Sequence, residues 1–383
     1  MNRQCDRHAC NAAGKRSRRF QTARASRWAR LGHLGRFGIS LGLCVAGTAA
    51  SAQQVTLYGT MDTGITYVSN AGGKKLIEMQ PNIMWKSAYG IRGTEDVGGG
   101  TKVIFDVSNT FNTSTGADYG FGPSLGVTND KWGTLTAGQL NDYMFLSLTI
   151  ARWGPQLYSA PPYYTSAGPF NKMGLKYGSM DFNGQAGWYT FNNAVSYRSP
   201  TINGLTFGAM YAFGNVAGHM GSGDSNSFGV DYSLGPLQLD AAYTFTRSAD
   251  IVPAGQALRN WGFGGRLAVG RGTVDAIYTN SRNTALGTGV QVVGVGGQYP
   301  LTRNTVVSLN YHYDWANAAQ NNYHANQLGA GIFYGLSKRT DVYATVTIQR
   351  ASGDGAVAEV DYVMAGSSNA TQTVARVGMT HRF

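Results

Sequence analysis

Three residue types that can form a nucleophilic triad lie close together near the end of the chain. Ser308, His312 and Asp314 fall on one face of the alternating segment TVVSLNYHYDW, and such alternation is typical of a β-strand. Residues i and i+2 on a strand are about 6.6–7 Å apart by rise, and residues i and i+4 are twice as far apart. Ser308 therefore cannot reach His312 directly, as nucleophilic catalysis requires. The sequence predicts no enzyme.

Metal and phosphate chemistry are not indicated either. His219, His324 and His381 show no ligand spacing. The glycines of EDVGGG (95–100) are not followed by a helical segment, so we interpret them as a turn and not a phosphate cradle. All three cysteines lie within the first 52 residues. We expect no cofactor and no metal.

Charged residues on alternating faces leave one further kind of chemistry, which is electrostatic. Bases and acids that face a common water-filled lumen set a transverse field that tunes ion selectivity. The alternative is that these groups simply keep a wet wall polar. The candidates are the bases Lys86, Arg92, Arg198, Arg266, Arg376 and Arg382, with Arg382 favoured as structural, and the acids Asp62, Asp106, Asp231, Asp240, Asp275 and Asp314.

Alternating segments that could position these residues recur from residue 55 to the end of the chain. Many are near the ~9–11 residues that a tilted membrane strand needs, and short turns alternate with longer connections. This pattern predicts an all-β fold, a 16-stranded antiparallel transmembrane β-barrel. The predicted strands are 55–67, 82–94, 101–110, 119–129, 133–142, 190–199, 205–213, 226–234, 237–247, 259–269, 273–282, 289–299, 305–315, 325–335, 341–350 and 373–383.

One connection, 143–189, is much longer than the others and is rich in proline and aromatic residues. A loop of that length in a compact domain is usually functional, and a barrel of sixteen strands leaves an aqueous channel. We expect this loop to fold inward and narrow the channel. Its cations Arg152, Lys172 and Lys176 either oppose Asp62 and Asp106 across the lumen or face the external vestibule.

The first 52 residues have the features of a secretory signal peptide. They hold 10 of the 31 Lys and Arg residues, then an apolar stretch too short to span a membrane, then Ala50-Ser51-Ala52. We expect cleavage near Ala52, which leaves 53–383 as a single barrel domain. That part has 21 basic and 19 acidic residues, so a basic nucleic-acid-binding protein is not indicated. No apolar run of 18 residues occurs, which excludes a helical membrane protein.

Several stretches together resemble the trimeric general porins of Gram-negative bacteria. They are VTLYGTMDTGITYVSN (55–70), YGIRGTEDVGGG (89–100), WGTLTAGQ (132–139), NNAVSYRSPTINGLTFGAMYAFG (192–214) and VGMTHRF (377–383). The resemblance implies an outer-membrane homotrimer that contacts lipid and lipopolysaccharide and is inserted by the barrel-assembly machinery. It also implies passive diffusion of small hydrophilic solutes past an inward third external loop. Phe383, an aromatic C-terminal residue, would be the assembly signal.

The sequence departs from this family's ladder of inward-facing arginines. Ala88, Phe121 and Thr190 stand where Arg is usual, and Gln139 replaces a further Arg at a position that alternation does not place in the lumen. We therefore expect near-neutrality or a weak preference for cations. The alternatives are a channel that prefers a sugar or an aromatic acid and, with less support, a barrel enzyme or adhesin.

Overall fold

Antiparallel strands make up most of the described chain. The protein was analysed as a computed structural model, which describes residues 54–151, 168–174, 190–360 and 366–383. Its strands are β1 (Gln54–Ala71), β2 (Lys74–Pro81), β3 (Ala88–Gly98), β4 (Thr101–Phe111), β5 (Asp118–Asn129), β6 (Gly133–Asn141), β7 (Thr190–Arg198), β8 (Leu205–Ala212), β9 (Ser225–Leu234), β10 (Leu237–Thr246), β11 (Leu258–Val269), β12 (Gly272–Asn283), β13 (Gly289–Pro300), β14 (Thr305–Ala316), β15 (His324–Gly335), β16 (Thr340–Ser352) and β17 (Thr371–Arg382). Helical turns occur at Met144–Ala151, Asn171–Met173 and Ala318–Gln320.

The strands close into a ring. β17 pairs with β1 from Arg382 opposite Thr60 to Val374 opposite Val68, so the last strand closes the sheet on the first. β2 and β3 together occupy one strand position in the ring. Residues 54–60 of β1 pair with β3, and residues 63–71 of β1 pair with β2. The barrel therefore has sixteen strand positions, which confirms the fold predicted from the sequence.

The period of two in the sequence separates an outer face from an inner one. On β14, Leu309 is 57% exposed and lies outside, while His312 and Asp314 lie inside and are 3% and 0% exposed. Side chains at successive strand positions point to opposite faces, so the apolar set meets the lipid and the polar set faces the lumen. Among the described residues, no helix is both long and apolar enough to cross a membrane.

The predicted strand bounds lie within four residues of the observed ones, except at the second strand. Residues 82–87 were predicted to be strand, and this is wrong. β1 continues to Ala71 and turns through Gly72 and Gly73, which have φ of 59° and 95°. β2 then returns along β1 and ends at Pro81. Two glycines with positive φ allow this tight hairpin, and the second position of the ring is broken between β2 and β3.

Short connections gather at one end of the barrel. Residues 130–132, 235–236 and 270–271 join neighbouring strands there, and the same end holds the start of β1 and the end of β17. This one-sided arrangement of short turns is typical of the periplasmic side of outer-membrane barrels. The opposite end carries the longer connections, including 142–189.

Candidate functional site

The chain turns into the barrel directly after β6. The Asp142 carboxylate accepts a hydrogen bond from the Phe145 backbone N–H (3.0 Å) and another from the Thr244 hydroxyl on β10 (2.7 Å). The first bond caps the helical turn Met144–Ala151, and the second ties it to the wall. Burial raises the pKa of Asp142 to about 7. The described start of the loop is thus anchored on the inner surface, as the sequence predicted.

Glycines on the wall make room for this loop. Gly208 and Gly229 face Tyr143, and a Cβ added at Gly229 would lie 2.6 Å from Ser147 Oγ. The Tyr143 hydroxyl donates to the carbonyl of Tyr197 (2.7 Å), and its backbone N–H donates to Ser227 Oγ (2.8 Å). The loop start therefore packs closely against β7, β8 and β9.

A buried apolar cluster continues this packing inside the barrel. It includes Tyr143, Met144, Leu148, Phe170 and Met173, which pack with wall residues from β7 to β15. Burying these large side chains together stabilises the inward position of the loop. Within the part of the chain that the structure describes, that side of the lumen is filled and open space lies on the side of β2 to β7.

The open side holds two neighbouring cavities. The larger has a volume of about 1110 Å³ and is lined by residues of β2, the segment 82–87, β4 to β7 and the loop start. The smaller, about 420 Å³, lies nearer the short turns. Asp106, Ser124 and Thr136 line both. These three residues therefore lie where the two cavities adjoin, and the adjoining cavities together are termed the route.

Charges of both signs line this route. Asp106 accepts hydrogen bonds from the Tyr58 hydroxyl at 2.7 Å to each carboxylate oxygen. The Arg92 guanidinium lies 5.1 Å from the centre of the Tyr58 ring. Arg198, whose side chain is 43% exposed, pairs with Asp231 at 3.0 Å. Glu78 and Lys86 line the larger cavity.

Asp62 and Arg376 point inward but do not offer free charges to the lumen. Their side chains are both 0% exposed and pair at 3.3 Å. Asp62 also accepts from the hydroxyls of Tyr343 (2.9 Å) and Thr380 (2.8 Å). The expectation that Asp62 acts on passing ions is therefore wrong, because its charge is buried and neutralised by Arg376.

The positions of Lys86 and Gln139 differ from those predicted, because the backbone is irregular near each of them. Lys86 is exposed and belongs to the inward segment 82–87, not to a strand. Gln139 was not placed in the lumen by alternation, yet it lines the larger cavity. The register shifts between Gly138 and Leu140, where Asn192 and Asn193 of β7 lie opposite Gln139 alone, and the regular alternation of β6 ends at this bulge.

The other predicted residues are spread over the barrel. Thr190 is exposed on the wall of the larger cavity, and Ala88 begins β3 beside the break. Arg266 donates to Gln238 (3.2 Å) and lines neither cavity. Lys172 donates to Asn321 (3.0 Å) in an external connection, which favours the vestibule setting. Phe121 lies on β5, although its side chain is outside the described part, and Arg152 and Lys176 lie outside the described residues.

Sequence reasoning missed Trp85 as a residue of the lumen. Ile83, Met84 and Trp85 are three consecutive apolar residues, which is inconsistent with strict alternation, and Asn82 before them has a positive φ of 65°. The apolar run, preceded by an Asn, is a sequence signal that could have located the break; the positive φ is seen only in the structure. Within the described residues no group of three or more His, Cys, Asp or Glu side chains is placed to hold a metal.

Comparisons with known proteins agree with this architecture. The model of the Gram-negative porin family matches residues 40–354. Outer membrane porin protein 32 of Delftia acidovorans is 29% identical, over 90% of this chain and 99% of that protein. The anion-selective porin from Comamonas acidovorans has a TM-score of 0.71 at 24% identity, covering 86% of this chain and 100% of that one. OmpT of Vibrio cholerae, solved in a trimer form, has a TM-score of 0.62 at 16% identity, covering 87% and 100%.

The closed barrel, the inward loop and the water-accessible route beside it are the parts that a diffusion pore requires. The family match extends over most of the chain. This protein belongs to the Gram-negative porin family and is an outer-membrane channel for the passive diffusion of small hydrophilic solutes.

Proposed function

We propose that the channel is close to neutral in ion selectivity and that the route past Asp106 is its constriction. The observation that carries this proposal is the mixed charge of the route. Asp106 lies where the two cavities meet, and Arg92, Lys86 and Arg198 lie along the same walls with Glu78. Charges of opposite sign along the same walls offset one another's effect on a passing ion. Such a pore does not strongly exclude either ion.

The buried pair Asp62–Arg376 supports the same conclusion. Because both side chains are inaccessible and paired, neither contributes a net charge to the lumen. The sequence alone indicated two free acids opposite the missing arginines, which favoured cations. With Asp62 neutralised, near-neutrality is the better-supported of the two expectations.

The test is a reversal potential measured in planar bilayers under a gradient of KCl. We expect cation and anion permeabilities that are similar to one another. Strong anion selectivity, the property for which the Comamonas acidovorans porin is named, would contradict the proposal. A strong preference for cations would contradict it as well.

We further propose a homotrimer, on the basis of the family and of the apolar outer face, where Leu57 is 64% exposed. Part of this face would meet neighbouring subunits and the rest would meet lipid and lipopolysaccharide. Unheated samples on detergent gels should migrate as an oligomer that heating converts to monomer. Monomer in both samples, with no trimer after crosslinking in membranes, would contradict this assembly.

A second candidate is a channel that prefers aromatic acids, and one observation favours it. Trp85, Tyr119, Tyr143 and Phe145 line the larger cavity together with Lys86 and Arg198, so rings and cations are available in one space. Proteoliposome swelling would compare benzoate with cyclohexanecarboxylate, which has similar size and the same charge. Faster entry or saturable uptake of benzoate alone would support this candidate, and equal rates would exclude it.

A further inference from the structure

Between the end of β2 and the start of β3, the chain leaves the sheet and enters the lumen. β1 pairs Thr60 with Ala88 and Thr63 with Pro81, so the segment 82–87 lies opposite only Met61 and Asp62. The segment has more residues than β1 has partners for it, so it cannot pair in the ladder and must leave the sheet. It leaves on the inner side, because its residues 82–86 line the larger cavity while Met61 on the outer face is 45% exposed.

The segment is held by hydrogen bonds at both of its ends. Asn82 donates through Nδ2 to the carbonyl of Phe111 (3.0 Å) and accepts from the Ser87 backbone N–H (2.8 Å). The Ser87 carbonyl accepts from the Phe111 backbone N–H (2.9 Å). Backbone groups that have left the ladder are thereby satisfied, and the segment takes a defined shape against β4.

The buried pair lies directly behind this segment. Asp62 Oδ1 accepts from the backbone N–H groups of Ile83 (3.0 Å) and Met84 (3.2 Å), while Arg376 Nη2 donates to the carbonyl of Gln80 (2.9 Å). A buried carboxylate that accepts several hydrogen bonds is both neutralised and fixed in place. Asp62 therefore connects the segment to β17 through Arg376 and to β16 through Tyr343.

This anchoring carries two side chains into the pore. The Trp85 ring lies against the Arg382 guanidinium, 5.3 Å from it, and Arg382 is itself paired with Asp341 at 2.7 Å. Lys86 is exposed beside Trp85 on the wall of the larger cavity. The segment thus presents a large rigid ring and a cation on the side of the route opposite the loop start.

We propose that the segment 82–87 is a second constriction element, with Trp85 and Lys86 as its specificity-determining residues and with Asn82 as its positioning residue. The route is then bounded by two inward elements, the loop after β6 and the segment 82–87. Trp85 limits the size of solutes that pass, and Lys86 supplies a positive charge to this side of the route. The outline of the pore depends on both elements.

Cysteine substitution tests this element directly, because residues 53–383 contain no cysteine. Lys86→Cys channels in planar bilayers would be treated with two methanethiosulfonate reagents of similar size and opposite charge. Both reagents should lower single-channel conductance, and they should shift the reversal potential in opposite directions. Leu57→Cys, which faces outward on β1, is the matched control and should show neither change.

Two outcomes would overturn the proposal. One is that Lys86→Cys is not modified, as judged by mass spectrometry, because the side chain would then not line the aqueous route. The other is complete modification with conductance and reversal potential unchanged. Trp85→Ala supplies an independent readout, since it should increase conductance and the size limit for sugars in liposome swelling, and unchanged values would contradict its role.

The positioning role needs a variant that leaves the buried ion pair intact, since Asp62→Asn can prevent folding. Asn82→Gly keeps a residue that tolerates positive φ and removes only the side-chain bonds that hold the segment. In Asn82→Gly/Lys86→Cys channels the modification should change conductance by a different factor than in Lys86→Cys alone, because the segment is released. An identical response would show that these bonds do not position it.

Discussion

Asp106 offers the sharpest single test of how this pore handles ions. It lines both cavities, so every solute that uses this route passes it. At an effective dielectric constant of about 20, an ion about 6 Å from the carboxylate interacts with it by about 3 kcal/mol. Screening over a Debye length of about 8–10 Å reduces this to about 1.5 kcal/mol.

Asp106→Asn removes this charge with little change of shape. The Tyr58 hydroxyl, which lies 2.7 Å from both carboxylate oxygens, can still donate to the amide oxygen, so the wall should keep its structure. An energy of about 1.4 kcal/mol corresponds to tenfold. We therefore expect the cation permeability to fall and the anion permeability to rise, each by up to about tenfold, so that the anion-to-cation ratio measured from the reversal potential under a KCl gradient increases.

The control variant removes one carboxylate charge from a hydrated turn instead of from the proposed constriction. Asp130 lies in the exposed connection between β5 and β6, where water and salt screen its field. Asp130→Asn should leave the reversal potential near that of the unmodified channel. If Asp106→Asn and Asp130→Asn gave the same reversal potential, the reasoning that places Asp106 at the constriction would be refuted.

Four further predictions follow from contacts of the inward loop, the wall and the C-terminal strand. Burial raises the pKa of Asp142 from 3.8 to about 7, so the folded state holds a proton that the unfolded chain releases, and stability should fall as pH rises from about 4 to 7. Asp142→Asn should flatten this dependence in thermal unfolding of detergent-solubilised protein, and an unchanged slope would contradict it. Gly229→Ala should displace Tyr143 and Ser147 and alter single-channel conductance, whereas Gly221→Ala, with nothing within 4 Å, should not. Deletion of Phe383, whose backbone exchanges two 3.0 Å hydrogen bonds with Gly59, should lower outer-membrane insertion without changing the conductance of channels that do form. Ala88→Arg should shift the reversal potential toward anions, and an unshifted value would show that this position is electrically remote from the route.

The barrel itself was predictable because its signal is local and repeated. Each strand has the same period of two, as in β14, where Leu309 and His312 fall on opposite faces. The inward position of the described start of the loop after β6 also followed from the loop's length and composition together with the family resemblance. The wall glycines that receive it, such as Gly229, have no separate signature, because glycine is frequent throughout the strands.

The features that the sequence did not reveal depend on interruptions or on distant partners. The regular alternation of β6 ends at Gln139, where the register with β7 shifts, and one extra residue in the partner strand leaves almost no trace in a periodic pattern. The pairing of Asp62 with Arg376 joins residues 314 positions apart. Both were placed correctly on the inner face by alternation, yet only the closed ring shows that they neutralise one another.

The same pair has a consequence for how the barrel is completed. Asp62 lies in the first strand and Arg376 in the last, so neither finds its partner until the ring closes. Before closure a charge would lie unpaired beside an open sheet edge, and contacts of such high sequence separation form late in folding. A chain that lacks its final strand therefore cannot neutralise Asp62, whereas in the closed ring the carboxylate that holds the segment 82–87 is paired with Arg376.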